Sequence, residues 1–222
     1  MSASAPESAK AQGFSLLEVT VAISVLSIAL LAAAALVGKV MQGGQSSKFM
    51  SAAATLASEK LEDLNRWNSD NAQVCVPKGV SSVGSLTSDA LQTTTCEGGA
   101  SANVNYYDDV SMSLTAAVDC PGSSAGCLAE TVSSISGGST IYTTTYHSPD
   151  GTISTSTSST PPAAATFHRR WIIESNPVVK GLTLACPSSG PVTCLRRITV
   201  LVAATDQSVK PAVTFQMSAV RP

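Results

Sequence analysis

The residue with the clearest chemical consequence in this sequence is Glu18, because it lies inside the longest apolar run of the chain. Residues 14–37 read FSLLEVTVAISVLSIALLAAAALV, and Glu18 is their only charged residue. A charged side chain at the centre of a bilayer costs at least ~2.5 kcal/mol. A nearby opposite charge offsets much of that cost, and escape of the side chain to the interface is the alternative. Glu18 is therefore a candidate ion-pairing group.

Six cysteines form the second set of chemically informative residues. They fall in three close pairs along the chain: Cys75 and Cys96, Cys120 and Cys127, Cys186 and Cys194. An even number of cysteines downstream of an apolar segment indicates an oxidising compartment. We predict sequential pairing, because each pair would close a short loop flanked by Pro or Gly. Free thiols are the alternative, whereas zinc is not expected, because no Cys-x-x-Cys occurs.

Catalytic motifs are absent from the sequence. It contains no P-loop and no G-x-S-x-G, and its two histidines are His147 and His168. His147 lies close to Asp150 in YHSPD, but a histidine in a polar loop is usually only solvated. We therefore predict that the protein is not an enzyme and carries no metal or organic cofactor.

The overall composition is typical of an exported, β-rich domain. The net charge is -2, so no basic field favours nucleic acid as a partner. Charged residues make up 13% of the chain, against roughly 25% in an average soluble protein. Ser, Thr, Ala and Gly take their place.

The apolar run is long enough to cross a bilayer as a helix, and it has three interpretations. It is a secretory signal cut among the small residues at 31–36, a plain single-span anchor, or a prepilin signal. A prepilin signal is cut before the apolar run, so that the helix stays in the mature protein.

The residues around the start of the run favour the third interpretation. Gly13-Phe14-Ser15-Leu16-Leu17-Glu18 resembles the type IV prepilin processing motif. In that family, prepilin peptidase cuts after the glycine and methylates the new N-terminal residue. The resemblance implies cleavage and N-methylation at Gly13 and Phe14. It also makes Glu18 the fifth residue of the mature chain.

The same resemblance implies a role for Glu18 in assembly. The α-amino group of Phe14 becomes a cation after cleavage, and Glu18 of a neighbouring subunit can pair with it in a low-dielectric helix bundle. A polar residue that merely reaches the interface would not explain the coincidence with Gly13 and Phe14. The sequence departs from major pilins at Ser27 and Ala35, where they usually carry a glycine and a proline.

The elements that position these residues follow from the periodicity. No proline occurs between Phe14 and Trp67, and apolar residues recur near a 3.6 period beyond Gly44. Local melting or a bend is expected at Gly38, Gly43 and Gly44. The predicted organisation is a leader at 1–13, a transmembrane and assembly half-helix at 14–38, an amphipathic half at 39–68, a variable Ser/Thr-rich region with short strands at 69–165 and a C-terminal antiparallel sheet at 166–222.

The predicted fold class is α+β, with the long N-terminal helix packed on the C-terminal antiparallel sheet in a pilin-like manner. Strands are expected at 167–175, 195–203 and 212–220, because these segments alternate and are rich in β-branched residues. The low-complexity run at 148–162 is predicted to be a loop or hairpin tip. The order of elements in the C-terminal third is similar to minor pilins of the PilV kind.

The resemblance implies a structural subunit, a minor pilin of a bacterial type IV pilus. It would be anchored in the inner membrane as a single-pass precursor and extracellular after assembly into the fimbrium. The implied partners are other pilin subunits, major and minor, prepilin peptidase and inner-membrane lipid. The alternatives are a type II secretion pseudopilin and an adhesive or DNA-binding pilus-tip module. For DNA binding, the sequence offers a basic patch formed by Arg169, Arg170, Arg196 and Arg197; a solvated sheet face with carboxylate partners is the other interpretation.

Overall fold

The computed structural model of the protein describes residues 15–96, 101–112, 119–120, 123–148, 151–161, 165–175, 178–179, 182–183, 195–205 and 212–221. For 119–120, 123–126, 178–179 and 182–183 it describes the backbone only. Four predicted site residues lie outside these ranges: Gly13, Phe14, Cys186 and Cys194. The chain divides into two compact units, Met1–Gly44 and Gln45–Pro222, and each is described by itself.

The described part of the first unit is helical. Helix α1 spans Leu16–Arg66, and all its residues up to Gly44 are exposed. Leu and Ala, both strong helix formers, are the commonest residues of this stretch, and no proline interrupts it, so helix formation is locally favoured. The helix runs through Gly38, Gly43 and Gly44 without a break. The local melting expected at these glycines is therefore not observed.

In the second unit, the rest of α1 is amphipathic. Ala53, Leu56, Ala57 and Leu64 are buried, whereas Glu59, Glu62 and Asp63 are exposed. This spacing places the apolar residues on one face of the helix. That face packs against an antiparallel sheet, as the sequence predicts.

The described residues form fourteen strands. In chain order they are β1 Ser82–Gly84, β2 Leu91–Thr95, β3 Ser101–Asn105, β4 Tyr107–Ser111, β5 Asp119–Cys120, β6 Ser123–Gly126, β7 Leu128–Ser136, β8 Ser139–His147, β9 Ile153–Ser158, β10 Phe167–Ser175, β11 Val178–Val179, β12 Leu182–Thr183, β13 Arg196–Ala204 and β14 Thr214–Arg221. Eight of them form the main sheet, in the order β14-β13-β10-β4-β7-β8-β9, with β1 also paired to β10. All of its strand pairs are antiparallel.

Strand β10 lies near the middle of the sheet and shows how its two faces differ. Phe167, Arg169, Trp171 and Ile173 are buried, and the residues between them are only partly buried. The buried residues face the same side as Ile198, Val200 and Val202 of β13, which pair with Ile173, Trp171 and Arg169. Together with the apolar face of α1 they form the core.

The structure confirms the three C-terminal strands, and each observed strand end lies within two residues of the predicted one. Five strands from the variable region at 69–165, where short strands were predicted, join the same sheet: β1, β4, β7, β8 and β9. The loop predicted at 148–162 was wrong for Ile153–Ser158, which pairs with β8. Alternating Thr and Ser residues next to an existing strand suit a pleated edge, and low complexity concealed this pattern.

Candidate functional site

Glu18 lies in the first turn of α1. The backbone amides of Glu18 and Val19 both donate to the carbonyl oxygen of Ser15, at 2.9 and 3.2 Å. A carboxylate at this position interacts favourably with the positive end of the helix dipole. Its side chain is exposed, and it forms no ion pair or side-chain hydrogen bond with any described residue.

The other polar side chains of the apolar stretch are satisfied within the helix. Thr20, Ser24 and Ser27 each donate a hydroxyl to a carbonyl oxygen one turn earlier, and all three distances are 2.8 Å. Such bonds remove the cost of placing a hydroxyl in lipid. Glu18 is therefore the one polar side chain in the described residues 16–37 whose hydrogen bonding is left to another molecule.

The stretch that carries Glu18 meets the requirements for a membrane span. Helix α1 contains an 18-residue window with a mean hydropathy of 2.5, and none of that window is buried within the protein. Leu16 and Leu17 are 83% and 73% exposed. By length and composition, this apolar surface suits lipid or the helices of other subunits.

A second cluster of charges lies buried beneath α1 in the Gln45–Pro222 unit. Arg169 Nε and Nη2 donate to the two carboxylate oxygens of Asp108, both at 2.7 Å. Arg169 Nη2 also pairs with Glu130, and Nη1 donates to the carbonyl oxygen of Leu56 on α1, at 3.3 Å. The Arg169 side chain is fully buried. Its bidentate pair with Asp108 joins β10 to β4, and its bond to Leu56 connects the sheet to the helix.

Lys60 completes this cluster from the helix side. Its Nζ lies 3.4 Å from Asp108 Oδ2 and 4.5 Å from the centroid of the Trp171 ring. Burial acts to raise the pKa of Asp108, but the positive charges of Arg169 and Lys60 outweigh burial and hold the pKa below its ordinary value. Asp108 is therefore ionised, with two cations as partners.

The four predicted arginines do not form one basic patch. Arg169 points into the core, and Arg196 Nη1 donates to the carbonyl oxygens of Ser69 and Val74. Arg170 pairs with Asp89 at 2.8 Å, and Arg197 pairs with Glu174 at 2.7 Å. The arginines that remain on the outer face therefore have carboxylate partners, as the alternative interpretation states.

The buried position of Arg169 was missed at the level of sequence, although a signal existed. Along β10, Arg169 alternates in step with Phe167, Trp171 and Ile173, and side chains two residues apart share a face of a strand. That parity places Arg169 with the core residues rather than with Arg170.

Among the cysteines, the structure joins Cys75 to Cys96, the first of the three sequential pairs. This bond connects the segment after α1 to the end of β2. Cys127 is also disulfide-bonded, and Cys120 lies in β5, where the backbone alone is described. The pairing of Cys186 with Cys194 stays a prediction.

Two further kinds of site are a metal centre and a groove that could hold a small molecule. No group of three or more His, Cys, Asp or Glu side chains among the described residues is placed to hold a metal ion. A groove of about 360 Å³ beside α1 is lined by both signs of charge, with Glu59, Glu62, Lys60 and Arg66 on the helix and Glu130 and His147 on the sheet.

Comparisons with known proteins bear on the N-terminal region. Residues 8–34 match the family described as the prokaryotic N-terminal methylation motif. This match includes Gly13, Phe14 and Glu18 and the first part of α1. No curated protein and no solved structure matches the chain. The motif, the exposed apolar helix and the α+β head together support a type IV pilin-like protein, either a pilin or a pseudopilin precursor.

Proposed function

We propose that this protein is a minor pilin, a structural subunit that a bacterial type IV pilus contains in small numbers. Prepilin peptidase cuts the inner-membrane precursor after Gly13 and methylates Phe14. The mature subunit then leaves the membrane and joins the filament through α1. The observation that carries this proposal is an exposed apolar helix with one unpartnered carboxylate, Glu18, five residues after the glycine of a methylation motif.

The proposed assembly step is an ion pair between subunits. Glu18 of one subunit accepts a hydrogen bond from the methylated amine of Phe14 on its neighbour. Each charge alone in an apolar bundle is costly, and their approach offsets much of that cost. The pairing therefore favours the assembled helix over the lone subunit in the membrane.

Processing is tested by intact-mass measurement of the protein extracted from membranes. The expected mature chain begins with N-methylated Phe14, and in a strain without prepilin peptidase the leader remains attached. A mature chain that begins beyond Ala35 would show an ordinary secretory signal and contradict the proposal.

The role of Glu18 is tested by the Glu18→Val variant, with Thr20→Val as the matched control. Both variants replace a polar group on the same exposed stretch, but the Thr20 hydroxyl is already satisfied by Leu17. We expect Glu18→Val to be processed normally and to disappear from sheared pili, whereas Thr20→Val stays in them. Equal amounts of both variants in the pili would contradict a docking role for Glu18.

The choice between a minor pilin and a type II secretion pseudopilin rests on the C-terminal third, since both classes share the N-terminal motif. Deletion of a minor pilin should reduce the number of surface pili and leave protein secretion intact. Loss of secretion with normal piliation would instead identify a pseudopilin.

A further inference from the structure

The segment between β1 and β2, residues 85–90, is called the strap here. It begins after Gly84, whose φ is +82° and whose position has no room for a side chain, because a Cβ there would lie 2.3 Å from the carbonyl oxygen of Trp171. It ends where the carbonyl oxygen of Ala90 accepts from the amide of Tyr106, at 2.8 Å. Between these ends, Ser85 Oγ accepts from the amides of Thr87 and Ser88, so these bonds stay inside the strap.

Asp89 fastens the strap to the outer face of the sheet. Its Oδ1 lies 2.8 Å from His168 Nε2 and accepts from Arg170 Nε, also at 2.8 Å. On the other side of the imidazole, His168 Nδ1 lies 2.6 Å from Asp109 Oδ1 on β4. The ring therefore stands between two carboxylates that belong to different elements.

This arrangement requires a charged imidazole. A neutral imidazole has one N–H and one lone pair, whereas an ionised carboxylate only accepts hydrogen bonds. Both contacts of His168 are hydrogen bonds at the same time only when both ring nitrogens carry a proton. The geometry of the strap is thus that of the imidazolium form.

The surroundings of the ring agree with this protonation state. The charged or titratable groups that face His168 are Asp89 from the strap, Asp109 and Tyr107 from β4, and Arg170 from β10 itself, with Ala203 opposite on β13. The hydrogen bond to Asp109 is the largest influence and raises the pKa of His168; burial opposes it, and Asp89 raises the pKa further.

We propose that His168 is a proton-controlled clasp that holds the strap on the sheet and releases it when the imidazolium loses its proton. On deprotonation, Nδ1 keeps its N–H for Asp109, and the lone pair of Nε2 then faces the carboxylate of Asp89. That contact becomes repulsive, and Asp89 retains Arg170 alone. Release of Asp89 exposes His168 and Arg170, the two groups that it contacts, so this surface changes with external pH.

The direction of the effect follows from linkage. The pKa of His168 is higher in the folded protein than in the unfolded chain, where it is about 6.5. The clasp therefore stabilises the closed strap fully below that value, and this stabilisation is lost as pH rises through the higher folded pKa. The strap is closed in acid and opens in base.

The test is hydrogen exchange of the Tyr106 amide, which donates to the carbonyl oxygen of Ala90 and so reports protection of the strap on the sheet. It is measured in the full-length protein in mild detergent, at about pH 5 and about pH 9, and corrected for the intrinsic pH dependence of exchange. We expect protection to fall by about fivefold at the higher pH, as for a partly exposed ion pair. His168→Gln should abolish this change, whereas His147→Gln, at the other histidine of the chain, should preserve it. Equal corrected protection of the wild-type strap at both pH values would overturn the proposal, as would an unchanged pH response in His168→Gln.

Asp89→Asn provides a second variant that preserves the fold of the strap. An asparagine amide can donate to the neutral Nε2 while its oxygen still accepts from Arg170. We expect the strap of this variant to be as protected at the higher pH as at the lower one. A pH response equal to that of the wild type would contradict the clasp.

Discussion

Two carboxylates of this protein, Glu18 and Asp108, occupy opposite electrostatic situations. Glu18 lies on an exposed apolar helix and forms no ion pair with any described residue. Asp108 is buried and has both Arg169 and Lys60 within ion-pair distance. Both charges are placed where the dielectric constant is low, one by the proposed membrane and the other by the protein core.

The difference shows which charged groups each region neutralises with its own residues. The Gln45–Pro222 unit supplies the counter-charges of its buried Asp108, from Arg169 and Lys60. The apolar part of α1 satisfies its hydroxyls internally and leaves one anion without a cation. Under the proposed function, the region that pairs with another subunit exposes an anion without a counter-charge, whereas the core of the second unit neutralises its own anion.

Among the variants that test this comparison, Arg169→Met is expected to lower the free energy of unfolding most. The variant keeps most of the side-chain volume but leaves the buried Asp108 with Lys60 as its remaining cation and removes the arginine partner of the partly buried Glu130. Removal of one partner of a buried ion pair costs about 3–5 kcal/mol. Urea unfolding of the full-length protein in mild detergent, followed by near-UV circular dichroism, measures the loss. Arg170→Met, which removes the partly exposed pair with Asp89, should cost less than about 1 kcal/mol. Equal losses in the two variants would show that the buried pair contributes no more than the exposed one.

The disulfide is expected to contribute the next largest effect. Cys75 and Cys96 are separated by 21 residues, and closure of a loop of that length stabilises a domain by about 3 kcal/mol in the chain-entropy account. The Cys75→Ala/Cys96→Ala variant should lose this amount in the same unfolding assay. Cys96→Ala alone should lose nearly as much, because either substitution breaks the bond. A stability unchanged in both variants would show that the loop is held by other contacts.

The end of α1 provides a smaller test of how the second unit satisfies its own polar groups. Arg221 Nη1 donates to the carbonyl oxygens of Leu64 and Asn65, both at 3.1 Å, in the last turn of the helix. Arg221→Gln should reduce the free energy of unfolding by about 1–2 kcal/mol, as expected for hydrogen bonds from a charged donor. Arg66→Gln, an exposed residue of the same turn, should change it by less than about 0.5 kcal/mol.

The smallest expected effect is that of Glu18→Gln on the stability of the second unit. Since Glu18 belongs to the other unit, the free energy of unfolding should stay within about 0.5 kcal/mol of the wild type. Asp108→Asn should destabilise the same unit by several times that amount, because it leaves Arg169 without its full counter-charge. Similar losses in the two variants would contradict the division of roles between the carboxylates.

Much of the fold was predictable because its signals are local. The apolar run and the absence of proline define α1, and alternation in the C-terminal third defines β10, β13 and β14. The methylation motif was readable because it is a contiguous pattern of residues from Gly13 to Glu18. The alternation of buried and partly exposed residues along β10 would also have predicted that Arg169 is buried, had it been applied to a charged residue.

The remaining features depend on contacts between distant parts of the chain. His168 meets Asp89 across 79 residues, and Arg169 meets Leu56 across 113. Patterns of residue spacing in a single sequence do not predict contacts between residues so far apart. Strand β9 was missed for a different reason, since its Ser and Thr residues lack the apolar alternation that identifies a strand with one buried face.

The ammonium group of Lys60 above the Trp171 ring makes the fluorescence of Trp171 sensitive to the position of α1 on the sheet. The chain has two tryptophans, Trp67 and Trp171, and the first is 43% exposed whereas the second is buried under α1. A cation held against an indole face perturbs its excited state, so the emission of Trp171 follows the distance between helix and sheet. Replacement of Trp67 by phenylalanine would leave a single emitter, and its emission wavelength would show whether α1 stays packed on the sheet during the proposed transfer from membrane to filament.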